Sequence, residues 1–176
     1  VAVNGAFTSR FSYNVDPTRD KLNFEIKNGE VVRVDKHISI PRRIETILWQ
    51  RGIKDPNKEM LKKGKEPNRR TIANFILGGS RDQMHRLAFG NQEVNLEHGA
   101  DNSAIKRMPE IENWAKDMYR SMSDRFGEKN IAAFVVHLDE TNPHIHCTVL
   151  PITEDEKLSW KKVMVGEVDS KFEYQK

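Results

Sequence analysis

The segment NIAAFVV (130–136) carries the strongest constraint on how this chain folds. It is too short for an independent helix, and its apolar residues follow one another without alternation. Such a run reads as a strand covered on both faces. HLDETNPHIHC (137–147) follows it directly and opens a second strand, HIHCTVLPI (144–152). The turn between them, LDETNP, is too short for a crossover, so the two strands are expected to be antiparallel neighbours.

That pairing decides where the histidines go. His144 and His146 are two residues apart, so on a strand they share a face. His137 ends the first strand, opposite the start of the second. All three imidazoles then converge at the mouth of the hairpin. Pro143 biases Asn142 toward an extended backbone, which suits the step into a strand. Three imidazoles make a ligand set for a divalent transition metal with positions left open, an arrangement that favours catalysis over a purely structural site. Asp139 and Glu140 stand beside them, able to ligate or to hold a ring N–H. Cys147 points to the face opposite His146 and reads as buried packing. His37, His85 and His98 are isolated and read as surface or satisfied core.

The rest of the chain supplies the sheet and its cover. RFSYNVDPTR (10–19) reads as an extended piece running into a turn at Asp16-Pro17. KLNFEI (21–26) alternates as a strand, Asn28-Gly29 is a hairpin dipeptide, and VVRVDKHISI (31–40) is its partner. A helix runs from Pro41 to a stop at Gly52. Residues 54–70 read as a charged loop, partly helical around KEMLKKG. TIANFILGG (71–79) reads as a buried strand, and Ser80 caps the helix after it. Residues 90–106 are polar and irregular. The clearest helix is MPEIENWAKDMYRSMSDRFG (108–127), with Ile111, Trp114, Met118, Met122 and Phe126 as its core stripe. LSWKKV begins a further helix. The expected fold is α+β: a central, mostly antiparallel sheet of about five strands with flanking helices.

Composition narrows the function classes. With 176 residues and one cysteine, the chain can bury a core but form no internal disulfide, which fits a reducing cytoplasm. No apolar run approaches the roughly 18 to 20 residues of a membrane span. The net charge of +3 is mild. Its distribution is more informative, because Lys54, Lys58, Lys62, Lys63, Lys65, Arg69 and Arg70 outnumber Asp55, Glu59 and Glu66. That stretch is either a solvated face or a surface for phosphates. A chain that opens on Val1 and ends in a charged stretch is expected to be part of a longer protein, with residues 1–176 as one domain.

The pattern His-Leu-Asp-Glu-Thr-Asn-Pro-His-Ile-His (137–146) resembles the metal motif of the Mob/Pre (MobV-type) plasmid mobilisation relaxases. These belong to the HUH endonucleases, named for two histidines around one apolar residue, here His144-Ile145-His146. The helix leading into IAAFVVHLDE resembles the family's run-in, and VLPITEDEKLSWKKV (149–163) its run-out. DPTRDKLNFEI (16–26) resembles an upstream motif, and NRRTIANFILGGSRDQMHRL (68–87) a middle strand and helix.

The resemblance implies an enzyme that nicks one DNA strand at an origin of transfer, binding it as a single strand, and stays attached to its 5′ end. His137, His144 and His146 would hold a divalent ion, manganese or magnesium first, with zinc, nickel or cobalt as options. Glu140 and Asp139 would orient a ligand or assist proton transfer. Arg19 and Asn23 would face DNA or brace the site, and Arg69 and Arg70 would contact phosphates. Relaxosome and coupling proteins would be partners. One feature departs from the family pattern: no histidine precedes His37. GAFTSRFSYN (5–14) offers Thr8, Ser9 and Tyr13, of which Tyr13 has the chemistry of a reversible nucleophile. A residue upstream of Val1 is the other option, ahead of His37. The rival readings are an HUH replication initiator or transposase, a non-catalytic origin-binding module and a cupin-like small-molecule enzyme. Too few strands weaken the last.

Overall fold

The hairpin dipeptide sets the first edge of the sheet. Asn28 (φ 51°) and Gly29 (φ 79°) both take the left-handed conformation that a tight two-residue turn requires. They join β1 (Phe24–Lys27) to β2 (Glu30–Arg33) with Lys27 opposite Glu30. The structure is a computed structural model and describes residues 14–165. β1 also pairs antiparallel with β4 (Ile131–His137), Phe24 opposite Val136. With β5 (His144–Val149) and β3 (Ala73–Leu77), the sheet order is β2-β1-β4-β5-β3. β4 is thus the middle strand, which explains its apolar run: every residue from Ala132 to Val136 is buried.

Four α-helices lie among the described residues. They are α1 (Ile40–Gln50), α2 (Pro56–Lys62), α3 (Arg81–Phe89) and α4 (Pro109–Phe126). The side chains of Ser39, Asp55 and Ser80 accept a backbone N–H at the starts of α1, α2 and α3 respectively, satisfying donors that the helix itself leaves open. None of these helices is long and apolar enough to cross a membrane.

The chain divides into two compact units. One holds the described parts of Val1–Val34 with Ile76–Tyr119 and Phe134–His146. Its core includes Phe24, Phe89, Ile111, Val136, Leu138 and Ile145, and Tyr119 meets Phe134 edge to face at 5.3 Å. The other holds Asp35–Phe75, Arg120–Ala133 and the described part of Cys147–Lys176. There Ile44, Leu48, Ile53, Ala132, Leu150 and Ile152 form one apolar cluster. Beside it Arg51 grips both carboxylate oxygens of Glu156, at 2.7 and 2.9 Å, and donates to Asn130 Oδ1 at 2.8 Å.

Several sequence expectations shift. The piece after Asp16 is a 3₁₀ helix (Pro17–Leu22), because Asp16 caps it and Pro17 fixes its first turn. The second hairpin strand is four residues long. β3 lies at the sheet edge rather than buried within it, leaving Asn74 exposed and Ile76 70 % exposed. On α4 the buried stripe is Ile111, Ala115, Tyr119, Met122 and Phe126. Trp114 and Met118 are only part-buried, since at 3.6 residues per turn both fall to one side of that stripe. The expected final helix is a single π-helical turn, Lys161–Val165.

Gly127 ends α4 at φ 87°, and an added Cβ would lie 3.1 Å from Asn130 Nδ2. Gly127→Ala is expected to lower stability by roughly 1–2 kcal/mol, read from the urea midpoint, because an L side chain resists that conformation.

Candidate metal centre

β4 delivers His137, and β5 delivers His144 and His146 to the same face. The ring centroids lie 5.4 Å (137–144), 5.0 Å (137–146) and 4.7 Å (144–146) apart. His144 Nδ1 is 2.8 Å from the Asn142 carbonyl oxygen, which can only accept, so that nitrogen carries the proton. In the neutral ring Nε2 then presents a bare lone pair. It lies 2.9 Å from Nε2 of His146. Two imidazole nitrogens bound to one ion, each about 2.1 Å from it, stand about 3.0 to 3.4 Å apart. The pair is therefore spaced much as a shared cation needs it.

The acids close the cluster. Glu140 Oε2 is 3.7 Å from His144 Nε2, and Asp139 Oδ1 is 3.9 Å from His137 Nδ1. Asp139 Oδ1 is buried with no hydrogen-bond partner, a costly state for a carboxylate oxygen without a cation nearby. Ligand atoms of His137, Asp139 and Glu140 all fall within 4.8 Å of one another. The donor set thus fits a divalent ion. Burial first, then the imidazole of His146, holds His137 below the usual histidine range despite Asp139 and Glu140. Burial and His144 do the same to His146. Both rings are kept in the neutral form that ligates.

The loop carrying the acids has lost the sheet's hydrogen bonds, and the DPTRDKLN segment replaces them. Arg19, only 2 % exposed, donates to the carbonyls of Leu138 (2.5 Å) and Glu140 (3.3 Å). Asn23 Oδ1 accepts from Leu138 N at 2.6 Å, and Asp16 N donates to the Asp139 carbonyl at 2.6 Å. Val15 bridges Glu140. Asp16 balances the buried guanidinium at 2.8 Å. Burial alone would raise its carboxyl, but hydrogen bonds from Thr18, Arg19 and Asn102 outweigh that and draw it down to about 2.

A profile of the Mob/Pre family, described as plasmid recombination enzyme, matches residues 57–171. The chain belongs to this family. Among curated Mob/Pre relatives, a plasmid recombination enzyme of Bacillus thuringiensis is 25% identical over 153 residues, 87% of this chain and 27% of the relative. A type 2 enzyme of Staphylococcus aureus is 27% identical over 158 residues, 88% of this chain and 29% of its own. The chain thus spans less than a third of the length of those relatives. Crystal structures of the Mn-bound MobM relaxase domain with plasmid pMV158 oriT DNA share the fold. One, with a 22-nucleotide strand, has a TM-score of 0.57 at 20% identity, over 92% of this chain and 70% of that one. Another, with a 23-nucleotide strand, also has 0.57, at 21% identity, over 90% and 67%.

The structure brings His137, His144, His146, Asp139 and Glu140 of this Mob/Pre chain together. Of the two roles expected for Arg19 and Asn23, the structure shows the brace: Arg19, sealed from solvent, donates to Asp16 and to the Leu138 and Glu140 carbonyls, and Asn23 Oδ1 accepts from Leu138 N. Arg69 and Arg70 lie in the other unit, both exposed, Arg70 over the Trp160 ring at 5.4 Å. Tyr13, Thr8 and Ser9 lie outside the described residues. His37 is exposed, with its backbone N–H on Asp35 Oδ1. Cys147 is buried, and burial pushes its thiol up to about 12.

Two residues carry more than their sequence context suggests. His85 Nε2 donates to the Thr141 carbonyl at 2.7 Å, steadying the far end of the same loop. Asn102, 4 % exposed, donates to Asp16 Oδ2 and the Asn95 carbonyl and accepts from Asn95 N. Neither stands in a periodic pattern, so no local signal marks them.

Two outcomes follow from the brace. Arg19→Ala is expected to lower folding stability by about 3–5 kcal/mol in a denaturant titration, because Asp16 and two carbonyls lose their buried partner. Asp16 is held below its unfolded value of about 4, so its stabilisation is present above that pH and lost as pH falls toward about 2. Asp16→Asn is expected to flatten the stability profile across that acid window while lowering stability at neutral pH.

Proposed function

We propose that the chain is a metal-dependent relaxase domain, residues 1–176, that nicks one strand of DNA at an origin of transfer during mobilisation of a plasmid or related element. The observation that carries this reading is the cluster itself. Three imidazoles, one with its tautomer fixed for ligation, and two carboxylates meet at the half-buried lip of a sheet in a Mob/Pre chain. The MobM relaxase domain, which shares this fold, has been crystallised Mn-bound with oriT DNA.

In this reading His137, His144 and His146 hold a divalent ion, manganese or magnesium. When bound, the ion supplies Lewis acidity to a phosphate oxygen and favours an in-line arrangement. Arg19, Asn23, Asp16 and His85 keep the loop between β4 and β5 from moving as the phosphate is seated. Glu140, with Asp139 behind it, receives or returns a proton at the reacting oxygens. The step is a transesterification. A side-chain oxygen, proposed as Tyr13, bonds to phosphorus, and the bond from phosphorus to the 3′ oxygen breaks. The nucleophile's proton leaves to the carboxylate, and the 3′ oxygen leaves as a hydroxyl after taking up a proton. The 5′ end remains joined to the protein, and reversal reseals the strand. Action on cytoplasmic DNA, with relaxosome and coupling proteins as partners, belongs to the same proposal.

A labelled single-stranded origin oligonucleotide, incubated with the full-length protein and Mn²⁺ or Mg²⁺, is expected to yield one fragment covalently attached to protein, and chelator is expected to abolish it. His146→Ala is expected to lower cleavage at least about 100-fold. Tight binding with no cleavage would instead assign an origin-binding module.

A further inference from the structure

Trp114, expected in the core stripe of α4, instead lines a cavity. That cavity, about 520 Å³, lies between the C-terminal end of β3, α3 and α4, and none of its side chains belongs to the metal centre. Trp114 and Leu87 supply apolar wall. Gln83, Arg86 and Glu110 line it with an amide, a guanidinium and a carboxylate. Gly78 and Gly79 also line it. Gly79 cannot be larger without displacement, since a Cβ there would lie 3.1 Å from Gln83 Oε1.

The same two glycines touch the metal hairpin. A Cβ on Gly78 would rest 3.7 Å from His144 Cβ, and Asn142 Nδ2 donates to the Gly79 carbonyl at 3.4 Å. The cavity therefore adjoins the hairpin that carries the histidines. We propose that the cavity takes one unstacked nucleobase of the DNA strand held at the metal centre, with Trp114 as its apolar wall and Gln83, Arg86 and Glu110 reading its edge. This rests on the relaxase reading above.

The chemistry favours a base over a phosphate. Glu110 repels a phosphate but accepts from an exocyclic amino group. An amide and a guanidinium offer the donors and acceptor that base edges pair with. An aromatic wall binds the apolar part of any base, and only a base pulled from its stack can enter a cavity of this kind. Ile76, exposed on the adjoining edge strand, extends the apolar surface on which that strand would lie.

The test uses the full chain with Mn²⁺ and single-stranded oligonucleotides spanning the nick, each with one abasic position. Affinity is read by fluorescence anisotropy and nicking on the same samples. One position beside the nick is expected to weaken wild-type binding about 5- to 150-fold when abasic. Trp114→Leu is expected to bind the unmodified strand as weakly as wild type binds that abasic one, with no further loss at that position. Gln83→Ala, on an exposed helix face, is expected to keep the fold and change which base is preferred there. Equal binding at every abasic position, or unchanged discrimination in both variants, overturns the inference while nicking upholds the relaxase reading. The expected profile without nicking upholds the cavity and sinks the relaxase. Absence of binding to the unmodified strand overturns both.

Discussion

Everything at the metal centre depends on how residues 138–140 are held. They leave the middle strand of the sheet, so their backbone groups lose ladder partners while still partly buried. Unpaired, those groups would cost more than most single contacts return. Arg19 and Asn23 meet that need from more than a hundred residues away in sequence, and Asp16 makes the buried guanidinium tolerable. The result is a loop whose acids are placed by backbone hydrogen bonds rather than by packing. Rigid backbone beneath Asp139 and Glu140 allows one carboxylate oxygen to stay buried and unpartnered, facing the histidines.

That arrangement shows why the upstream motif and the histidine motif work as one device. The histidines are positioned by strand alternation, a local rule. The acids are positioned by long-range clamps from Arg19, Asn23 and Asp16, with His85 on Thr141 at the far end. Loss of a clamp is therefore expected to act first on the acids and the loop, leaving the β5 pair in register. Among the described residues β3 is the edge strand beside β5, with Ile76 bare on it.

Much of this was legible in the residues. NIAAFVV, Asn28-Gly29 and the spacing of His137, His144 and His146 each obey a short-range rule, and the hairpin, the buried middle strand and the converging imidazoles follow from them. The fold class and the family resemblance hold. What escaped is what no period records. Arg19 read equally well as a DNA contact or a brace, since a buried guanidinium looks like an exposed one until its partners are known. TIANFILGG has the composition of a covered strand, yet its place at the edge leaves Ile76 bare. Trp114 fits a helical stripe by spacing from Ile111, but the buried face runs through Ala115 and Tyr119 and leaves it to one side. His85 and Asn102 act through single hydrogen bonds to distant carbonyls.

The central claim is that three imidazoles share one ion, with the carboxylates beside it. Crystals soaked in Mn²⁺ and measured for anomalous scattering at the manganese edge test it directly. One peak about 2 Å from a nitrogen of each of His137, His144 and His146 is the predicted result. A peak held by His137, Asp139 and Glu140 without His144 and His146, or none at the hairpin mouth, would contradict it.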